Sequence, residues 1–159
     1  MKMKIGVISD SHGDAPAIQT AINVAGAVDA WIHLGDFSSD TVRMKSMVNV
    51  PIYCVKGNCD LMSQEATEKI LELAGARILL AHGHTFNVKT TTLNIALQAE
   101  KLNCVVALFG HTHYPHMSAR GSILILNPGS VSRPIGTSNR SFAILEVKNG
   151  DVNAEIITI

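Results

Sequence analysis

Short apolar runs, each broken abruptly by glycine or a polar residue, recur along the chain. The first, Lys4–Ile8, is rich in Ile and Val and gives way to Ser9-Asp10-Ser11-His12. So short a run, closed by turn residues, predicts a buried strand. Asp14 can cap a following helix with Pro16 in its first turn. Ile18, Ala21, Ile22 and Ala25 then form one apolar face, which ends at Gly26. Ala30–Leu34 predicts a second strand, Ser38 or Ser39 the cap of a helix running to Val48, and Pro51–Val55 a third strand. Strands alternating with helices imply parallel pairing and right-handed crossovers.

The next stretch is ambiguous. Gln64–Ala74 fits a helix by its Glu and Leu content, or a strand that turns at Ala74-Gly75-Ala76-Arg77 into Ile78–Ala81; periodicity alone does not separate the two. Thr90–Leu102 predicts a helix, with Leu93, Ala96, Leu97 and Glu100 at spacings of three and four and Asn103 as its stop. Cys104–Phe109 is a continuous apolar strand. Beyond it the character changes. His116–Arg120 and Ile123–Leu126 flank Gly121-Ser122, and Ser141–Val147 and Val152–Ile157 flank Asn149-Gly150, so two hairpins are expected.

Composition narrows the class. A chain of 159 residues is expected to form a single domain, residues 1–159. With 47% hydrophobic and 16% charged residues it has material for a core and too little charge for disorder. Thirteen basic and 13 acidic residues give a formal charge of zero with no cationic cluster, which disfavours nucleic acid or a membrane surface as partner. The apolar run before Asp10 is shorter than the roughly 7–15 residues of a secretory core or the roughly 20 of a membrane span. Cys54, Cys59 and Cys104 are odd in number and lack Cys-x-x-Cys spacing, so a reducing cytoplasmic location is expected.

The breaks themselves carry the chemistry. Five apolar runs end in residues of metal-ligand type: Asp10 with His12, Asp36, Asn58, His82 with His84, and His111 with His113. Gly35, Gly57 and Gly110 sit directly before three of these, where a residue without Cβ lets the backbone approach a site closely. Each loop alone reads equally as a plain turn; the recurrence of one chemistry at every break does not. Carboxylate, carboxamide and imidazole without thiolate point to a first-row cation such as Mn²⁺, Fe²⁺, Co²⁺, Ni²⁺ or Zn²⁺ rather than Mg²⁺. The donors exceed the needs of one ion, so two ions are expected, with Asp36 as the natural bridge. Two divalent ions set against two carboxylates and a bridging hydroxide leave a charge of about +1, suited to an anionic phosphoryl group.

Asp10-x-His12, Gly35-Asp36, Gly57-Asn58, His82-Gly83-His84 and Gly110-His111-Thr112-His113 closely resemble, in order, the five motifs of the calcineurin-like metallophosphoesterase superfamily. The short length, Gly57-Asn58-Cys59-Asp60 and Asn127-Pro128-Gly129-Ser130 resemble its small stand-alone phosphodiesterases of the YfcE type. The resemblance spans Ile5 to Ser132. It implies an α/β fold of two packed mixed β-sheets, a β-sandwich flanked by helices, with Thr67–Ala81 as a strand pair. It implies that Asp10, His12, Asp36 and His113 hold one metal, and that Asp36, Asn58, His82 and His111 hold the other, with Mn²⁺ the usual ion. Many members carry histidine after the metal-binding Asn, where it assists the leaving group. Here Cys59 stands in that position, and a thiol is the weaker donor, with a reference pKa of about 8.5 against about 6.5. Diesters with good leaving groups are therefore the expected substrates.

Other positions divide. His84 is expected beside the ligands or facing substrate, and Asp60 either orients a ligand histidine or closes its turn. Asn127 and Ser130 form a turn that either nears the site or is only a turn. Arg133 could meet a phosphate. His33, Cys54 and Cys104 are expected in the core, and His116 in an exposed loop. The reading is a dinuclear-metal phosphodiesterase in which a metal-bridging hydroxide attacks phosphorus in line, with His111 or His113 organising the phosphoryl oxygens. Its rivals are a non-catalytic scaffold of the same fold, like the eukaryotic retromer subunit, and a metal-dependent hydrolase of amides or thioesters. The expected partner is a small phosphodiester. Edge strands in the carboxyl half leave a homo-oligomer open.

Overall fold

The computed structural model describes residues 1–159. Its elements are β1 (Lys2–Ile8), α1 (Ala15–Ala25), β2 (Ala30–His33), α2 (Asp40–Met47), β3 (Ile52–Cys54), β4 (Glu68–Leu73), β5 (Ala76–Ala81), α3 (Leu93–Lys101), β6 (Val106–Leu108), β7 (His116–Arg120), β8 (Ile123–Asn127), β9 (Ser141–Lys148) and β10 (Asp151–Thr158). They form two five-stranded sheets, ordered β10-β9-β1-β2-β3 and β4-β5-β6-β8-β7. Both are mixed. The β1–β2–β3 and β5–β6–β8 neighbours are parallel, and β9, β10, β4 and β7 join antiparallel.

Alternation along the strands explains the layers. Ile5 and Val7 of β1, Ile32 of β2, Ile78 and Leu80 of β5, Val106 and Leu108 of β6 and Leu145 of β9 pack into one fully buried cluster between the sheets. Their neighbours face outward: Ile8, Trp31 and Phe142 pack with Ile18 and Ala21 of α1 and Met44 of α2, while Leu79, Ala107 and Phe109 pack with Ile95 and Ala96 of α3. Strands covered on both faces have no polar side, which is why these read as continuous apolar runs. Each fully buried Ile or Leu contributes about 1.5–3 kcal/mol.

Local chemistry sets the ends. The Asp14 carboxylate accepts the Ala17 amide at the start of α1, and Gly26 closes it at φ 67°. Ser39 occupies the cap position of α2 but makes no side-chain cap bond. The ambiguous stretch is the β4–β5 hairpin, turning at Ala74 and Gly75 with positive φ at both; Asn149 and Gly150 turn β9 into β10 in the same way.

Two expectations are corrected. The α3 helix begins later than predicted, because the Thr90 and Thr91 amides both bond to the Asn87 carbonyl in a turn. Its buried face is Ile95, Ala96 and Ala99, with Leu93 and Leu97 each 43% exposed. Small side chains let the helix lie close on the sheet, which turns the leucines outward. His116 is not a loop residue: it opens β7, half-buried, with Nε2 2.8 Å from Ser118 Oγ and its ring 6.1 Å from that of Phe109. His33, Cys54 and Cys104 are buried as expected.

Candidate metal centre

The predicted ligands follow the ends of β1, β2, β3, β5 and β6. Asp10, His12, Asp36, His111 and His113 all have positive φ, a region that residues with a Cβ seldom occupy. Strained backbone concentrates where side chains are aimed at a common point. Gly57 and Gly110 allow the close approach. A Cβ on Gly57 would lie 2.2 Å from Asp36 Oδ1, and one on Gly110 1.9 Å from Ser9 Oγ.

One donor atom from each of Asp10, His12, Asp36 and His113 lies within 4.8 Å of the others. His113 Nε2 is 3.3 Å from Asp10 Oδ1 and 3.4 Å from His12 Nε2, separations typical of donors sharing one ion with bonds of about 2.1 Å. A second group adjoins it. His82 Nε2 is 3.4 Å from Asp36 Oδ1, and the His82 and His111 rings are 5.1 Å apart. Asp36 turns Oδ1 to His82 and Oδ2 to His12, the latter at 3.9 Å. One carboxylate thus presents an oxygen to each group, an arrangement compatible with a bridge. Asn58 is exposed, and its side-chain amide meets Cys59 Sγ at 3.7 Å rather than any of the other predicted ligands. The Cys59 amide donates to Asp36 Oδ1 at 2.9 Å, while its thiol side is exposed.

Tautomers and orphaned atoms test whether a cation fits. His82 Nδ1 donates to the Leu34 carbonyl at 2.8 Å and His113 Nδ1 to the Arg133 carbonyl at 2.7 Å, so each ring, when neutral, presents a bare Nε2 to the cluster. His82 Nε2 and Asp10 Oδ1 face each other at 3.8 Å, both buried and without a hydrogen-bond partner. Two buried acceptors facing each other are costly unless positive charge lies between them. The donor set therefore fits divalent ions.

The titration directions agree. Burial opposes ionisation of Asp10 and Asp36, but His113 and His82 in the first case and His82 in the second outweigh it and hold both carboxyls low. Burial also disfavours the charged His82 ring, yet Asp36 and Asp10 raise its pKa. His111 is pushed down to about 4, first by burial and then by His82 and Lys89, so its ring is neutral near pH 7.

Supporting bonds come from far along the chain. Asp10 Oδ2 accepts from Ser9 Oγ at 2.7 Å and from the His111 amide at 3.1 Å, leaving Oδ1 for the centre. Ser130 and Ser132 hydroxyls both donate to the Asp10 carbonyl, at 2.8 and 3.0 Å. Asn127 Nδ2 donates to the Gly110 carbonyl and to Thr112 Oγ1, so this turn does approach the site. Asp60 orients no histidine; it accepts the amides of Gly57, Asp36 and Ser38. The His84 ring lies 5.5 Å from His82 and 6.1 Å from His111, beside the ligands. Arg133 supports His113 through its carbonyl, with an exposed side chain. Three contributors were not singled out in the sequence: Asp40, which takes the Ser11 hydroxyl and Gly13 amide, Ser132, and Lys89. Each looks like an ordinary helix, turn or surface residue; distant partners reveal Asp40 and Ser132, and Lys89 shows itself only by lying beside His111.

The family model of the calcineurin-like phosphoesterase superfamily domain matches residues 3–150. The chain is 36% identical to the probable metallophosphoesterase YsnB of Bacillus subtilis, over 92% of this chain and 86% of that one. It is 30% identical to the phosphodiesterase YfcE of Escherichia coli, over 91% and 88%. Among solved structures, a conserved Streptococcus pneumoniae protein described as a predicted phosphoesterase superposes with a TM-score of 0.84 at 31% identity, over 99% and 90% of the two chains. Vps29 of Entamoeba histolytica, solved with zinc, superposes at 0.79 and 22% identity, over 98% and 99%, which speaks for the fold alone. The expected sandwich and the expected kinship hold together: the chain belongs to the calcineurin-like phosphoesterase superfamily.

Proposed function

We propose that the protein is a phosphodiesterase working with two divalent ions, Mn²⁺ foremost among Mn²⁺, Ni²⁺, Co²⁺, Fe²⁺ and Zn²⁺. Asp10, His12, Asp36 and His113 would hold one ion, and Asp36, Asn58, His82 and His111 the other. The observation that carries this reading is the pair of buried, unpartnered acceptors, His82 Nε2 and Asp10 Oδ1, facing each other inside a ring of further donors. When bound, such ions polarise the phosphoryl oxygens and supply a water acidic enough to attack phosphorus at neutral pH. The chain's own residues do the rest. Leu34 and Arg133 carbonyls fix the two ligand tautomers, and Asp36 spans both groups. His111, which burial keeps neutral, or His113 would also help organise the phosphoryl oxygens. Desolvation and the Asp36 carboxylate push the Cys59 thiol up, which keeps it a weak donor and favours diesters with good leaving groups.

Metal titration against bis(p-nitrophenyl) phosphate tests the proposal. Turnover that rises with added Mn²⁺ and is abolished by chelation is expected. A metal-loaded protein that cleaves no phosphoester favours the scaffold reading, which rests on the fold shared with Vps29. Faster cleavage of alkyl monoesters than of aryl diesters would overturn the role given to Cys59. No helix is long and apolar enough to cross a membrane, and a small phosphodiester is the proposed substrate.

A further inference from the structure

Two cavities of different character flank the donor cluster. One, of about 390 Å³, is walled by Lys89, His111, Thr112, His113 and Ile135. The other, of about 470 Å³, lies between the start of α2 and the loop after β3. Phe37, Val42, Leu61 and Met62 form its apolar walls, uncharged polar groups of Ser38, Ser39, Thr41, Ser63 and Gln64 line much of the rest, and its size suits a small organic group.

This second cavity adjoins the centre. Two of its wall residues, Phe37 and Cys59, directly follow Asp36 and Asn58, and the Phe37 ring is 5.2 Å from that of His12. Phe37 is held at φ 67° while 39% exposed, an arrangement costly for a bulky apolar residue and of no benefit to the core. Leu61 and Met62 are 87% and 91% exposed. The cavity offers no free charge. Both Asp60 oxygens are taken up by backbone amides, Glu65 is paired with Lys69, and no cation lines it.

We infer that this cavity receives one ester arm of the substrate, and that the arm is an uncharged planar ring, packed between Phe37 on one wall and Leu61 and Met62 on the other. The inference rests on the proposed phosphodiesterase reading. An aromatic ring gains from offset contact with Phe37 and from the polarizable Met62 sulfur. A charged arm would find no ion-pair partner there, since no cation lines the cavity and both carboxylates are already engaged. The Lys89 side is left to the anionic part of the substrate.

Isothermal titration of the Mn²⁺-reconstituted protein with phenylphosphonate and with methylphosphonate separates ring from head group. Phenylphosphonate is expected to bind about tenfold more tightly, and M62D or V42D to reduce that preference to about twofold. Methylphosphonate affinity should stay near its original value, and M62L should keep the ring preference. Both side chains are largely exposed, so the variants test contact rather than folding. The ¹³C-methyl resonance of Met62 should shift with phenylphosphonate and not with methylphosphonate. Equal affinity for the two phosphonates, or a preference untouched by M62D and V42D, overturns the inference and leaves the phosphodiesterase reading standing. Failure of both phosphonates to bind, together with no diester turnover, overturns that reading and this inference with it.

Discussion

The Asp60 carboxylate accepts the backbone amide of Asp36 at 2.9 Å, and the same oxygen takes the Gly57 amide at 2.7 Å. Its other oxygen takes the Ser38 amide at 2.8 Å. The loops after β2 and β3 are thus tied at one buried point. Asp60→Asn would turn an amide donor toward one of these amides. An unsatisfied buried group costs about 1–3 kcal/mol, so the urea midpoint should fall. Metal affinity should fall with it, because the Asp36 backbone is no longer held. Calorimetric Mn²⁺ titration of this variant beside its denaturation curve checks both effects.

Asp36→Asn keeps the shape of the side chain and removes its charge. A carboxamide nitrogen in place of either oxygen carries no negative charge and no lone pair for a cation, so the position facing His82 or the one facing His12 is lost as a ligand. Loss of both metals and a fall in turnover of about a hundredfold or more are expected. Elemental analysis of the purified variant, with turnover measured on the same sample, checks this. Full metal content with retained activity would contradict the bridging role.

Glycine at the sheet edge is tested by adding one methyl group. In Gly57→Ala the new Cβ would meet Asp36 Oδ1 at 2.2 Å and the Asp36 backbone nitrogen at 2.6 Å. The backbone atom cannot swing away, so a loss of about 1–3 kcal/mol is expected. In Gly110→Ala the first obstacle is Ser9 Oγ at 1.9 Å, with Asp10 Oδ2 at 2.8 Å behind it. Removing that hydroxyl in S9A/G110A should restore part of the lost stability, while no neighbouring side-chain change rescues G57A. Thermal melts of the three variants distinguish these outcomes.

Burial, helped by Glu65 and Asp60, pushes the Cys54 thiol up to about 12 from an ordinary 9.0. The unfolded chain loses this proton first as pH rises. The stabilising effect is therefore complete below the ordinary value and is lost between there and about 12, at a slope approaching about 1.4 kcal/mol per pH unit. Cys54→Ala should flatten the alkaline limb of the stability curve measured by urea denaturation. At neutral pH, Ellman's reagent should find the exposed Cys59 in the native protein, and Cys54 and Cys104 only after unfolding.

Most strands were legible because buried strands leave unbroken apolar runs, as at Cys104–Phe109; β4 was not, because Glu68-Lys69-Ile70-Leu71-Glu72-Leu73 mixes charged and apolar residues and fits a helix equally well. The hairpin turns were legible because Asn149-Gly150 and Gly121 sit where positive φ is required. The face of α3 was not: Ala96 and Ala99 carry little hydrophobic signal yet set how closely the helix lies on the sheet. The candidate donors could be named because each lies in a loop that follows a strand. Their support was only partly legible: the Asn127–Ser130 turn could be named as one that nears the site or is only a turn, but nothing local shows that Ser130 and Ser132 meet the Asp10 carbonyl across more than a hundred positions. Asp60 shows the same limit. Its partners are backbone amides, which every residue but proline possesses.

Asp10, His12, Asp36 and Asn58 descend from strands of one sheet, and His82, His111 and His113 from strands of the other. Ions seated among them would therefore act as rivets across the seam of the sandwich as well as reagents. Withdrawing them should loosen the grip of one half on the other, so that resistance to heat and to proteolysis tracks ion supply, and the catalyst carries in its own durability a gauge of whether it is charged.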